Sequence, residues 1–402
     1  MFRRNPILFF LLATVLFTAC QTESEESQEK NEISNELKWS ERMALSILNR
    51  NPDPRTLVSK QKTKWNYKTG LVMSSLERLH KETNKEIYFD YMRDFADKLI
   101  NENGIILEYD LGSYNIDNIN AGKYLFYMND KSEDKRYRDA LDTLRSQLET
   151  HPRTNAGGFW HKKIYPYQMW LDGLYMGAPF YAKYNVMYEH GDKLDDVIHQ
   201  FDEIQKNLKD EKTGLFYHGW DESRQMDWAD KETGRSPEFW LRSLGWYAMA
   251  LVDVIDILPE DYPKRDSLIS YLDDFSASLL NFQDKETGLW YQVPTEPEKA
   301  GNYLESSGSA MITYAFARAA HQGYIDESFL TAAEKAYDGI IHNLIEVEED
   351  GTVNIKQVCQ SAGLGGDPYR NGTYDYYISE PMLVNDIHAL GPFILASLEL
   401  DK

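Results

Sequence analysis

Residues 212–217, Lys212-Thr213-Gly214-Leu215-Phe216-Tyr217, and residues 286–291, Glu286-Thr287-Gly288-Leu289-Trp290-Tyr291, are two copies of one turn. Looser copies surround Gly104, Gly158 and Gly351, so the glycines recur at intervals of 54 to 74 residues, each long enough for one helical hairpin and its connections. Between the turns, apolar residues fall at helical spacing. In 263–282, Leu268, Tyr271, Leu272, Phe275, Leu279 and Phe282 share one face. Comparable stripes at 38–50, 66–82, 86–101, 118–128, 134–148, 168–188, 193–208, 238–257, 305–322, 327–346 and 383–399 bring the total to about a dozen helices. Six hairpins of two helices predict an all-α chain closed into an (α/α)6 barrel, a six-hairpin toroid, over residues 37–402. A TIM barrel would need eight Val/Ile-rich strands, which the sequence does not offer. An open solenoid is the alternative, but a tight 34- or 40-residue period is missing.

The chain has 402 residues, a formal charge of −22 and 42% apolar residues, enough to bury a sizeable core. So negative a surface repels phosphate backbones, which argues against nucleic-acid binding. Tyr and Trp number 27 and 9, and their flat rings with a polar edge suit either an aromatic core or a surface that stacks on sugars. An anionic ligand would need locally placed Arg or His.

Residues 1–19 have a basic start, Arg3 and Arg4, then an apolar run from Ile7 to Phe17, which predicts a signal peptide too short to span a membrane. Phe17-Thr18-Ala19-Cys20 resembles a bacterial lipobox, with Phe17 in place of the usual Leu, so Cys20 is expected to carry the lipid; the alternative is ordinary signal-peptide cleavage with Cys20 lost or free. Residues 20–36, polar and acidic, are expected to be an unfolded tether. The expectation is an exported protein held to a bacterial membrane by its N-terminal lipid alone. With Cys20 acylated, Cys359 is the remaining thiol and no internal disulfide can form.

The densest cluster of chemistry-bearing residues is 157–180, with His161, Gln168, Trp170 and Asp172 entering a helix. A carboxylate among large apolar side chains loses hydration, which would raise its pKa and suit it to act as a general acid. The alternative is an Asp in a first helical turn interacting with backbone N–H groups. His218 lies in a second group, and Trp240, Arg242 and Trp246 in a third. Arg can clamp a carboxylate, His can add a hydrogen bond and Trp can stack on a sugar. Equally, one Trp could be core and Arg242 could pair with a protein carboxylate. Asp117 precedes a helix and could cap it. The sequence offers no HExxH, Cys pair, phosphate loop or GxSxG, so neither metal nor cofactor is expected.

At these residues the sequence resembles glycoside hydrolase family 105, the unsaturated rhamnogalacturonyl and glycuronyl hydrolases, from about Leu45 to the C-terminus. The resemblance rests on YPYQMWLDGLYM, GLFYHGWDES, FWLRSLGWYAMALVDV, ESSGSAMITYAFARA, GLGGDPYRNGTYDYY and NDIHALGPFILA, in that order. It implies a six-hairpin toroid that removes a terminal 4,5-unsaturated uronic acid from lyase-generated oligosaccharides. By the same resemblance Asp172 is the general acid/base, Asp117 a second active-site carboxylate, and His161, Gln168, His218, Trp240, Arg242 and Trp246 substrate contacts. The segment around His388 departs from the commoner family form, so no role carries over to it, and neither Cys359 nor the oligomeric state is assigned. The other functional readings are an inactive glycan-binding lipoprotein and a sugar epimerase on the same barrel. The aglycone, pectic rhamnogalacturonan or ulvan-type sulfated rhamnose, stays open.

Overall fold

The repeated turns have the same geometry. Asp210 accepts from the backbone and hydroxyl of Thr213, and Asp284 does so from Thr287, while each threonine oxygen accepts from the following leucine N–H. Gly214 and Gly288 complete the turn with φ of 73° and 76°, a region where a side chain would be strained. A third copy, Asp230 to Gly234, repeats the DKETG of residues 284–288 and the same bonds from Thr233.

The computed structural model describes Met1 and residues 32–59 and 65–401. The expected signal peptide beyond Met1, Cys20 and the tether as far as residue 31 lie outside the described residues. The helices are α1 (Trp39–Arg50), α2 (Tyr67–Thr83), α3 (Glu86–Leu99), α4 (Asp117–Asn120), α5 (Leu125–Lys131), α6 (Lys135–Thr150) and α7 (Leu171–Tyr188). They continue with α8 (Leu194–Leu208), α9 (Leu241–Ile257), α10 (Arg265–Leu280), α11 (Ser306–His321), α12 (Ser328–Leu344), α13 (Tyr374–Ser379) and α14 (Ile387–Leu400). Among the described residues the strands are two or three residues long, β1 (Gln168–Trp170) pairing antiparallel with β2 (Gly219–Asp221), and two further short pairs.

Packing closes a ring: α2 touches α4, α4 touches α7, α7 touches α9, α9 touches α11, α11 touches α14, and α14 returns to α2. Five ring members have an outer partner, α3 on α2, α8 on α7, α10 on α9, α12 on α11 and α1 on α14, while α6 packs against α5, which follows α4 in the chain, and against α7. The sixth hairpin therefore joins the two ends of the folded chain, with Ser40 at the start of α1 bonded to Asp401 just past α14. This is the (α/α)6 barrel expected from the sequence. Burial explains which helix is inner. On α9 every side chain from Leu241 to Val252 is buried, whereas outer α8 buries a stripe including Leu194, Val197, Ile198, Phe201, Ile204 and Leu208.

Three expectations need correction. The stripe at 118–128 is two short helices, α4 and α5, separated by a turn at residues 121–124. Residues 168–170, expected to begin a helix, are strand β1, because their backbone pairs with β2. The folded body begins before residue 37: Ile33 is buried and its N–H donates to Asp350 O at 2.9 Å.

His151, just after α6, is buried with Nε2 2.8 Å from Trp160 O, and burial lowers its pKa to about 4. Above about pH 6.5 both folded and unfolded states are neutral at this residue. As pH falls from there towards 4, only the unfolded chain takes the proton, and stability drops by about 3 kcal/mol. His151→Gln removes that titration, so denaturant melts between pH 7 and pH 4 are expected to show a shallower loss than wild type. An identical pH dependence would refute this.

Candidate active site

Five long inner helices begin at one mouth of the ring, and their second residues meet there: Lys68 of α2, Asp172 of α7, Arg242 of α9, Ser307 of α11 and His388 of α14. Their convergence is visible in the contacts. Lys68 lies 3.9 Å from Asp386, Tyr67 bonds His388 at 2.8 Å, and Arg242 Nε donates to Ser307 Oγ at 2.7 Å. Short α4 brings Asp117 to the same place.

Asp172, Asp117 and His161 place one polar atom each within 4.8 Å of the others. His161 is buried, its Nε2 3.3 Å from Asp117 Oδ1 and its ring stacked on Trp170 at 4.5 Å. A Cβ on Gly173 would lie 2.8 Å from His161 Nδ1, so the glycine after Asp172 makes room for the imidazole. Asp117 does not cap its helix: its own N–H is taken by Asn115 Oδ1, and its Oδ2 pairs with Lys162 Nζ at 2.7 Å. The spacing would admit a cation, but the Lys162 ammonium already supplies the countercharge to Asp117, and the group reads as an acid/base cluster.

Asp172 sits in the first turn of α7, with His218 Nε2 3.6 Å away and His218 Nδ1 bonded to Tyr377 Oη at 2.8 Å. The expectation of a raised pKa is overturned. Burial pushes the Asp172 carboxyl up, but the charge His161 carries when protonated, the polar contact with His218 and the Lys162 ammonium together hold it at about 2. Burial in turn lowers His161. The proton therefore belongs to the coupled cluster, not to one side chain.

The remaining predicted residues divide. Gln168 is buried on β1, its Oε1 accepting from Trp170 Nε1 at 3.0 Å while its Nε2 has no partner. Trp240 lies beside His218, ring centroids 4.7 Å apart, and its indole N–H is unpaired. Trp246 is not at the mouth surface: it is buried one helical turn beyond Arg242 and stacks on Tyr175 at 4.8 Å, part of the main core. Arg242 is also corrected. Its guanidinium lies 3.7 Å from the fully buried Glu305 and donates to Ser307 and to the carbonyl of Cys359, so it is chiefly a protein ion pair and not a free clamp. Its removal would strand the Glu305 carboxylate, the costly half of breaking a buried pair.

Sequence reasoning missed Lys162, although it adjoins His161. It also missed Glu305, Tyr377 and the Tyr67–His388–Asp386 chain, whose members lie far apart in sequence.

The sequence pattern of Glycosyl Hydrolase Family 88 matches residues 39–402. The structure of a family 105 glycoside hydrolase from C. acetobutylicum is 45% identical, covers 90% of this chain and 99% of its own, and superposes with a TM-score of 0.87. Protein Atu3128 of Agrobacterium fabrum is 36% identical over 233 residues, 56% of this chain and 97% of its own. The unsaturated rhamnogalacturonyl hydrolase YesR of Bacillus subtilis is 25% identical over 72% of this chain and 78% of its own. The chain belongs to glycoside hydrolase family 105, a group that the Glycosyl Hydrolase Family 88 pattern also embraces.

Proposed function

We propose that the protein hydrolyses the terminal 4,5-unsaturated uronic acid from oligosaccharides left by polysaccharide lyases, in the degradation of a rhamnose-linked polysaccharide. The observation that carries this reading is Asp172 beside Asp117 and His161 at the mouth of a family 105 barrel. Relatives named for unsaturated rhamnogalacturonyl and 3S-rhamnoglycuronyl substrates support it.

The substrate's vinyl ether dictates the chemistry. Protonated Asp172 gives its proton to C4, the ring oxygen stabilises the positive charge at C5, and water adds at C5 while its proton passes to the Asp172 carboxylate. The resulting hemiketal opens, and the aglycone leaves from C1 as an alcohol. One carboxyl group thus serves as acid and then as base, unlike the paired carboxylates of ordinary glycosidases. Against burial, His161, His218 and Lys162 hold Asp172 ionised; a bound uronate adds negative charge and expels water, and both changes raise its pKa towards the working range. The anion is met by helix ends, for α7 and α9 have no side-chain cap on their first turns.

We also propose that Cys20 is lipidated after removal of residues 1–19, which would tether the enzyme outside the cytoplasm. The lipobox-like Phe17-Thr18-Ala19-Cys20 and the acidic run after it support this.

Asp172→Asn should abolish the loss of ultraviolet absorbance of an unsaturated disaccharide while leaving its binding intact; retained turnover would sink the assignment. Preserved substrate mass would indicate an epimerase, and binding without turnover by wild type an inactive lectin. Because His218 helps hold Asp172 down, His218→Phe should raise the pKa of the acid, and the alkaline limb of its pH–rate profile, which marks loss of the acid's proton, should move to higher pH. A limb that stays or moves down would refute that coupling. Cys20→Ala should shift the protein from the membrane fraction to the soluble fraction; unchanged partition would refute lipidation.

A further inference from the structure

The chemistry above leaves His388 unused, although it is buried at the catalytic mouth. Its Nδ1 lies 2.5 Å from Asp386 Oδ1 and its Nε2 2.8 Å from Tyr67 Oη. Asp386 is fixed in place because the same oxygen caps α14 by accepting the N–H of His388 at 3.1 Å.

The direction of each hydrogen bond follows from charge. Burial, reinforced by Arg242 and Lys68, pushes His388 down to about 3, so the ring is neutral at working pH. Burial would raise Asp386, but His388, Lys68 and Arg242 hold it well below the usual carboxylate range. An ionised carboxylate can only accept, so Nδ1 carries the imidazole proton and Nε2 is bare. Tyr67 must then donate its own proton to Nε2. Burial and the charges of Asp117 and Asp172 keep that phenol from ionising, so its oxygen retains only lone pairs for another partner.

The geometry points to Tyr67 as an acceptor-only contact for a hydroxyl of the unsaturated uronate ring, with His388 and Asp386 as positioning residues that fix its polarity. Tyr67 stands at the start of α2, its carbonyl is tied to Asn120 in the Asp117 segment, and its phenol feels the charges of Asp117 and Asp172, so it lies beside the acid/base cluster where the sugar would react. A sulfate ester on that hydroxyl offers no proton and would be rejected, because two acceptors would face each other. Tyr67 thus screens the uronate for a free hydroxyl, a specificity that rests on the function proposed above.

Two measurements test this. In histidine-labelled protein, nitrogen NMR should show the His388 signal, identified by its loss in His388→Phe, as the Nδ1–H tautomer; an Nε2–H tautomer would overturn the polarity whether or not the enzyme is active. In kinetics on an unsaturated disaccharide, Tyr67→Phe should lower kcat/KM by about tenfold or more, as expected for one lost buried hydrogen bond. His388→Phe should cost a similar factor, the double variant no more than Tyr67→Phe alone, and His388→Gln, which can still accept from Tyr67, should recover part of the rate. Additive losses, no loss in Tyr67→Phe, or equal turnover of ring-sulfated and unsulfated uronates would overturn the proposal. Wild type that opens no unsaturated disaccharide would instead refute the enzyme's proposed function, and the tautomer would still decide the hydrogen-bond directions.

Discussion

Closure of six inner helices into a ring with five long N-termini at one mouth is the constraint from which the site follows. Each N-terminus carries partial positive charge. Side chains at the second position of each helix are forced to meet, whatever their chemistry. The formal charge there does not favour an anion: Asp117, Asp172, Glu305 and Asp386 face Lys68, Lys162 and Arg242. Glu305 and Asp386 cap α11 and α14, and Asn66 caps α2, which leaves α7 and α9 uncapped. In a protein of net charge −22, the proposed uronate would then be drawn by the dipoles of α7 and α9 and not by surplus cations.

Three histidines at this mouth are set apart by their partners. His161 is wedged between Asp117 and Trp170, His218 is held by Tyr377, and His388 is locked between Asp386 and Tyr67. The first two bear on the proton of Asp172, and the third sets the direction of a hydrogen bond. Identical side chains acquire different work from second contacts that lie far away in the chain, Tyr377 and Tyr67 above all.

That distance also marks what could be read in advance. Helix positions were legible because burial imposes a period of about 3.6 residues on one strand of sequence, and the hairpin count because Gly214 and Gly288 repeat a turn that needs positive φ. Asp172, Asp117 and His161 were legible through local clustering and family likeness. The break at residues 121–124 was not, since the apolar spacing runs across it. Nor was the fate of Arg242, because its partner Glu305 arrives on another hairpin, or the depressed pKa of Asp172, which depends on the sum of opposing contributions from three segments. Trp246 misled because one turn of helix separates a residue at the mouth from one in the core.

The pairing of α1 with α14 has a consequence in time. The ring's last neighbour contacts, and His388 with them, come from the final helix, while α1 and Tyr67 come from the first sixth of the sequence. Contacts between such distant partners are slow to form. A nascent chain can pair its early hairpins as they emerge, but the mouth has one wall missing until α14 has been made, so the chemistry waits on α14 long after Asp172 has been placed on α7.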